Sequence, residues 1–263
     1  MPVLTRDGVR LAFDGANGAG RPLVFVHGWC CDRSYLRPQF DHFATAGHGV
    51  LAPDLRGHGE SDAPEGAYAI RTFAEDLAWL CARQRIKDVV VVGHSMGGIV
   101  AFDLAVRYPE LVAAVVMIDS AVARPVASRA ALPAFIARLE GPEAVPAMQD
   151  YVRQVLFLPT DSADRRQRIL AAMARTPRHV MVGALQGMYD FDPEEAQDKP
   201  LPPMLFVSSN GTPLCDLARL ATIVPGLTTA QTAGSGHFCP LEVPDQVNAM
   251  LGRFVTIVDD GGR

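Results

Sequence analysis

The chain lacks the features that mark a disulfide scaffold or a membrane protein. Its five cysteines are odd in number and form no C-x-x-C pair, which predicts reduced thiols in a reducing compartment. The longest apolar run, residues 111–118, has eight residues, whereas a membrane span needs about 20. The N-terminus carries no apolar stretch of signal-peptide type. These absences predict a cytoplasmic protein that does not enter a membrane.

The sequence also lacks a strong excess of either charge. The chain has 24 Lys and Arg against 29 Asp and Glu, a formal net charge of −5, and no basic block. Nucleic acid is therefore not an expected partner. No phosphate-binding loop or metal-ligand cluster is visible, so no cofactor and no metal are predicted. Nothing in the pattern indicates an oligomeric state.

Short apolar runs alternate with amphipathic stretches along most of the chain. The runs are rich in Val, Ile and Phe and apolar on both alternations, as in parallel strands that are covered on both faces. They occupy residues 22–26, 49–52, 89–92, 112–118 and 203–207. Helical patterns lie between them, including a capping box at Thr72 and Glu75 that predicts a helix start. The fold class predicted is α/β, a mostly parallel central sheet flanked by helices.

Residues 123–198 interrupt this alternation. They contain no Val-rich strand run but several helical stretches punctuated by Pro and Gly. We interpret this segment as a helical cap, or lid, inserted into a core formed by residues 1–122 and 199–263. Some of its apolar and sulfur-bearing side chains are expected to line a substrate pocket.

The strongest single motif is G-x-S-x-G at Gly93-His94-Ser95-Met96-Gly97, directly after four valines and before a helical stretch. A nucleophilic serine is held on a tight strand-to-helix turn, where glycines let the backbone segments pass closely. The following helix directs unpaired N–H groups toward developing negative charge. This context predicts that Ser95 is a nucleophile.

Four motifs in order resemble those of the α/β-hydrolase fold family, over nearly the whole chain. They are the oxyanion-loop motif Val26-His27-Gly28-Trp29, the D-x-R-G-x-G-x-S turn at 54–61, the nucleophile turn at 93–97, and Gly236-His237-Phe238 near the end. The resemblance implies a general base at His237, in a Gly-rich loop that comes last in the chain. It also implies an oxyanion hole built from the backbone N–H groups of Trp29 and Met96.

The triad acid departs from the pattern of most relatives. The resemblance implies an Asp after the strand that follows the insertion, but Thr212 holds that position. Asp119 directly follows the run at 112–118 and is expected at the same sheet edge as Ser95, where some branches of the family carry the acid. Asp216 is the alternative acid. A site with neither of them also stays open.

These residues together predict a serine hydrolase of the carboxylesterase type. The expected reaction is cleavage of a small or medium apolar carboxylic ester by a Ser-His-Asp acyl-enzyme mechanism. Arg124 is a candidate for contacting a polar group of the substrate. A carbon–carbon bond hydrolase or a cofactor-free oxygenase on the same fold stays an alternative, as does a small-molecule receptor that has lost catalysis.

Overall fold

An eight-stranded sheet forms the centre of the molecule in the computed structural model, which describes residues 2–261. The strand order is β1-β2-β4-β3-β5-β6-β7-β8. From β4 onward across the sheet the strands are parallel, while β1 and β2 pair antiparallel and β2 pairs antiparallel with β4. The strands are β1 Val3–Arg6, β2 Val9–Ala16, β3 Gly20–Val26, β4 His48–Pro53, β5 Val89–His94, β6 Val112–Ile118, β7 Met204–Ser208 and β8 Thr228–Gln231.

The helices cover both faces of the sheet. They are α1 Arg37–Thr45, α2 Ile70–Arg83, α3 Met96–Arg107, α4 Val126–Glu140, α5 Ala144–Tyr151, α6 Ala163–Met173, α7 Arg178–Asp190, α8 Leu217–Ile223, α9 Cys239–Glu242 and α10 Pro244–Asp259. Side chains of β5 alternate between the two layers: Val89 and Val91 pack with α2 and α3, whereas Val90 and Val92 pack with α1 and α10. All four valines are fully buried, which is why this strand reads as a continuous apolar run. The predicted fold class is confirmed.

One local prediction is wrong. The helix α2 begins at Ile70, with Ala69 at its N-cap and no side-chain cap, so Thr72 and Glu75 lie inside the helix. Glu75 accepts instead from Arg71 Nε at 2.8 Å, as an i, i+4 pair. The S/T-x-x-E spacing therefore had no capping role here.

The segment between β6 and β7 is helical. It contains α4 to α7, a single π-helical turn at Val152–Leu156 directly after α5, and a 3₁₀ turn at Pro193–Ala196. Its apolar side chains, such as Met148 and Val180, are buried in the same core cluster as the α2 and α3 layer. The segment thus packs onto the carboxyl edge of the sheet, above the end of β5.

The strands at the sheet margins were not predicted. The strand β8 is largely exposed and reads TTAQ, so it carries no apolar run. The hairpin of β1 and β2 pairs antiparallel at the opposite margin, where only one of its faces is well covered. No helix within residues 2–261 is long and apolar enough to cross a bilayer.

Candidate active site

Ser95 stands at the junction of β5 and α3, in a backbone conformation that L-residues rarely adopt. Its φ is 56° and its ψ is −121°. A Cβ on Gly93 would come within 2.1 Å of the Gly97 carbonyl oxygen, so this turn closes only with glycine. The Ser120 hydroxyl donates to the Ser95 carbonyl at 2.7 Å and adds a second restraint. The strain at Ser95 is typical of a functional turn.

His237 contacts a buried carboxylate. Its Nδ1 lies 2.7 Å from Asp119 Oδ2, and both side chains are almost completely buried. The other oxygen of Asp119 accepts from the Ser209 backbone N–H at 3.0 Å. Burial raises the pKa of Asp119, but the hydrogen bond and charge of His237 and the Ser209 N–H together outweigh burial, and the pKa falls below its usual value. Asp119 is therefore an ionised partner for the imidazole.

The alternative acid lies elsewhere. Asp216 is exposed and accepts from the Arg219 backbone N–H at 3.0 Å, which makes it the N-cap of α8. Thr212, at the position where the family resemblance implies an acid, is also exposed. The structure brings Asp119, and not Asp216, into hydrogen-bonding contact with His237.

Two further contacts hold the loop of His237, and the sequence reasoning missed both. The backbone N–H of His237 donates to the Leu156 carbonyl at 3.2 Å, from the π-helical turn of the insertion. The His94 Nε2–H donates to the His237 carbonyl at 2.8 Å. Burial lowers the pKa of His94 to about 3, so this ring is neutral and serves as a fixed donor.

The loop after β3 approaches Ser95 closely. A Cβ on Gly28 would lie 3.0 Å from the Cβ of Ser95. Two hydrogen bonds of the His27 ring hold this loop in place. Its Nε2 accepts from the Leu55 N–H at 3.0 Å, and its Nδ1–H donates to the Gly28 carbonyl at 2.8 Å. Burial lowers the pKa of His27 to about 4, so this ring is neutral near pH 7. Within the described chain, the amide of Trp29 that follows has no acceptor, so it is available to a ligand.

A small cavity joins these groups. Ser95 and His237 both line it, and most of its other walls are apolar: Trp29, Cys31, Ala121, Leu156, Met173, Leu185, Met188, Leu214 and Phe238. Its volume is only about 30 Å³, room for about two water molecules. No hydrogen bond joins the Ser95 hydroxyl to His237 in the part of the chain described, and catalytic hydrogen bonds are often long before substrate binds.

Arg124 and Tyr151 are the other polar residues that line this cavity. Both line the cavity, and the Tyr151 hydroxyl is hydrogen-bonded to the Arg124 guanidinium. The Tyr151 ring stacks on Phe135 at 4.7 Å, and Phe135 meets the Trp29 ring edge-on at 6.1 Å. These three rings thus connect the predicted oxyanion loop with Arg124.

A larger cavity of about 720 Å³ lies on the other side of Cys31, and neither Ser95 nor His237 lines it. Its charged side chains are already paired, since Arg33 forms ion pairs with Asp54, Asp14 and Glu60. Among residues 2–261, no cluster of His, Cys, Asp or Glu side chains is arranged to hold a metal ion. The cavity that Ser95 and His237 line is the candidate site.

Comparisons with known proteins agree with this architecture. The sequence model of the alpha/beta hydrolase fold family matches residues 21–157. Among solved structures, a thermophilic esterase from Thermogutta terrifontis superposes with a TM-score of 0.84 and 24% identity over 97% of each chain. At that identity the likeness concerns the fold alone.

Two curated relatives show how far the sequence similarity extends. A 2-(acetamidomethylene)succinate hydrolase from Mesorhizobium japonicum is 28% identical over 264 residues, covering 90% of this chain and 89% of that protein. A non-heme chloroperoxidase, CPO-A1 from Kitasatospora aureofaciens, is 41% identical over 99 residues, 37% of this chain. The match spans only 36% of the length of the chloroperoxidase.

Proposed function

Because the chain belongs to the α/β-hydrolase fold family, we propose that it is a serine hydrolase that cleaves small carboxylic esters through an acyl-enzyme. The observation that carries the proposal is the shared cavity of Ser95 and His237, with His237 bonded to the buried Asp119. A nucleophile, a base and a group that orients the base are the parts that acyl transfer needs.

In the first half of the reaction, the Ser95 hydroxyl attacks the ester carbonyl and His237 Nε2 takes its proton. Asp119 keeps the other imidazole proton on Nδ1 and stabilises the imidazolium that forms. The N–H groups of Trp29 and Met96 donate to the oxyanion of the tetrahedral intermediate, a contribution that is typically worth about 10²–10³ in rate for each donor. His237 then protonates the leaving alkoxide, which departs as the alcohol.

In the second half, water replaces the alcohol. His237 removes a proton from this water, which attacks the acyl-enzyme carbonyl, and the same N–H groups hold the oxyanion again. As the intermediate collapses, the bond between the acyl carbon and Ser95 Oγ breaks and His237 returns its proton to Oγ, which releases the carboxylic acid and restores the Ser95 hydroxyl. Ester is the favoured substrate class because an alkoxide is expelled more easily than an amine.

The substrate enters under the helices of residues 123–198, which we propose to be a cap. The walls that α6 and α7 contribute, including Met173 and Met188, are apolar, and they favour an acyl or alcohol part that is small and largely apolar. A cavity of about 30 Å³ does not hold such an ester, so side chains of the cap must move outward when substrate binds.

A fluorophosphonate probe, followed by mass spectrometry, tests this function. We expect one equivalent of probe on Ser95, with no labelling of the Ser95→Ala variant. The same protein preparation should hydrolyse 4-nitrophenyl esters of short acyl chains, with rates that decline as the chain outgrows the cavity. A receptor that has lost catalysis would stay unlabelled at high probe concentration and hydrolyse none of these esters, which would contradict the proposal.

A further inference from the structure

Arg124 is a buried arginine that lines the cavity of Ser95 and His237 and is 8% exposed. Among the residues that the structure describes, its Nε has no hydrogen-bond partner. The guanidinium is hydrogen-bonded to the Tyr151 hydroxyl, which is neutral near pH 7 because the ordinary pKa of a phenol is about 10, and burial raises it further. Within residues 2–261, no carboxylate forms an ion pair with the Arg124 guanidinium.

Other shielded arginines of this chain are compensated. The side chains of Arg33 and Arg56 are each 16% exposed, and they pair with the buried carboxylates of Asp54 and Asp76. Arg124 is buried more deeply than either, yet it faces an apolar cavity. Burying an unpaired charge destabilises a fold, so the position of Arg124 has no explanation in stability.

Resting on the function proposed above, we propose that the preferred esters carry a carboxylate, which Arg124 binds inside the Ser95 cavity. A guanidinium offers parallel N–H donors in a rigid plane, and this fork matches the two oxygens of a carboxylate. The free Nε–H supplies one donor of such a pair.

The charge of Arg124 is available for this role. Burial lowers the pKa of Arg124, whereas its contact with Tyr151 opposes that change. The pKa of a free guanidinium is so high that the group stays protonated near neutrality even when it is buried. The rest of the wall is apolar, so the cavity provides for one anionic group and no second one.

Two matched pairs of esters test the proposal, because the carboxylate belongs either to the acyl or to the alcohol part. The first pair is the 4-nitrophenyl monoester of glutaric acid and 4-nitrophenyl pentanoate. The second is 4-carboxyphenyl butanoate and 4-methylphenyl butanoate. The readout is the ratio of kcat/KM for the anionic ester to that for the neutral ester, which we expect to exceed about tenfold in one pair.

The variant Arg124→Met removes the guanidinium and keeps a long apolar side chain. We expect it to lower that ratio by about 10- to 100-fold, the loss typical of a charge-assisted hydrogen-bonded contact. The control is Arg129→Met, the same change at an arginine outside the cavity, which stacks on Tyr189 and donates to the Phe191 carbonyl. Its ratio should stay at the wild-type value.

The melting temperature separates binding from a structural role. Without ligand, Arg124→Met should melt at or above the wild-type temperature, because the variant buries no unpaired charge. A lower melting temperature with an unchanged ratio in both pairs would overturn the proposal. Glutarate alone should raise the melting temperature of the wild type and not that of Arg124→Met. If no ester is hydrolysed, the proposed function fails, and this glutarate shift alone decides whether the carboxylate site stands.

Discussion

Replacing Asp119 by Asn tests the assignment of the triad acid directly, because the two carboxylate oxygens have different partners. Oδ1 accepts from the Ser209 N–H at 3.0 Å, and Oδ2 contacts His237 Nδ1 at 2.7 Å. In the variant, the amide oxygen is needed to accept from Ser209, so the amide NH₂ faces His237. Nδ1 must then accept a hydrogen bond rather than donate one.

This reversal changes the tautomer of the base. With the proton moved to Nε2, the imidazole cannot accept the proton of Ser95, and the imidazolium also loses a buried negative neighbour. Removing the orienting acid in a Ser-His-Asp triad lowers kcat by about 10⁴, equivalent to about 5.5 kcal/mol of transition-state stabilisation. We expect a loss of that order for Asp119→Asn.

The substitution preserves the backbone. Asp119 has a φ of 43°, a left-handed conformation that asparagine tolerates far better than alanine. The matched control is Asp216→Asn, because Asp216 is exposed and caps α8, and asparagine caps a helix as well as aspartate does. Its kcat should stay within about twofold of the wild-type value, as for other surface changes.

Initial rates on 4-nitrophenyl butanoate, with active sites titrated by fluorophosphonate, measure the effect. Circular dichroism melts verify that both variants are folded. If folded Asp119→Asn kept more than about a tenth of the wild-type kcat, the tautomer argument would be wrong. If Asp216→Asn lost most of its kcat while Asp119→Asn kept full activity, Asp216 would be the triad acid instead.

Two further predictions concern stability. Ser95→Gly should abolish ester hydrolysis yet raise the free energy of unfolding in urea by about 1 kcal/mol, because glycine adopts the φ of 56° without strain; a decrease would contradict strain at this turn. Lowering the pH from 7 to 5 should destabilise the fold. Burial holds the pKa of His27 near 4 and that of His58 and His94 near 3, so below pH 6.5 the unfolded chain binds protons that the folded chain does not. Each histidine should remove up to about 2 kcal/mol by pH 5, and equal urea midpoints at the two pH values would refute this account.

The centre of the fold could be predicted from the sequence, whereas its margins could not. The strands β3 to β7 lie between two helical layers, so both of their faces are apolar and each gives a run such as the four valines of β5. The edge strand β8 has one neighbour and exposed side chains, and its sequence TTAQ carries no such signal. An apolar run in the sequence therefore locates only those strands that helices cover on both faces.

The same distinction applies to the site. Ser95 and His237 lie in motifs whose spacing is local, so the sequence alone singled them out as candidates. The carbonyl of Leu156 and the ring of His94 meet His237 only after the insertion folds over the sheet, and neither position carries a local pattern. Arg124 could be named as a polar candidate, but its unpaired burial depends on side chains that are distant in the chain, above all Tyr151.

The geometry of adjacent parallel strands explains how an acid at Asp119 can serve the base. The strand β6 lies between β5, which ends directly before Ser95, and β7, after which the family resemblance implies an acid. Their carboxyl ends meet at one edge, and the Ser209 N–H that follows β7 donates to Asp119 across the gap. The Asp119 carboxylate, at the end of β6, thus contacts the His237 imidazole. In the proposed mechanism an exposed threonine at position 212 is compatible with catalysis, because Asp119 supplies the negative charge from the neighbouring strand.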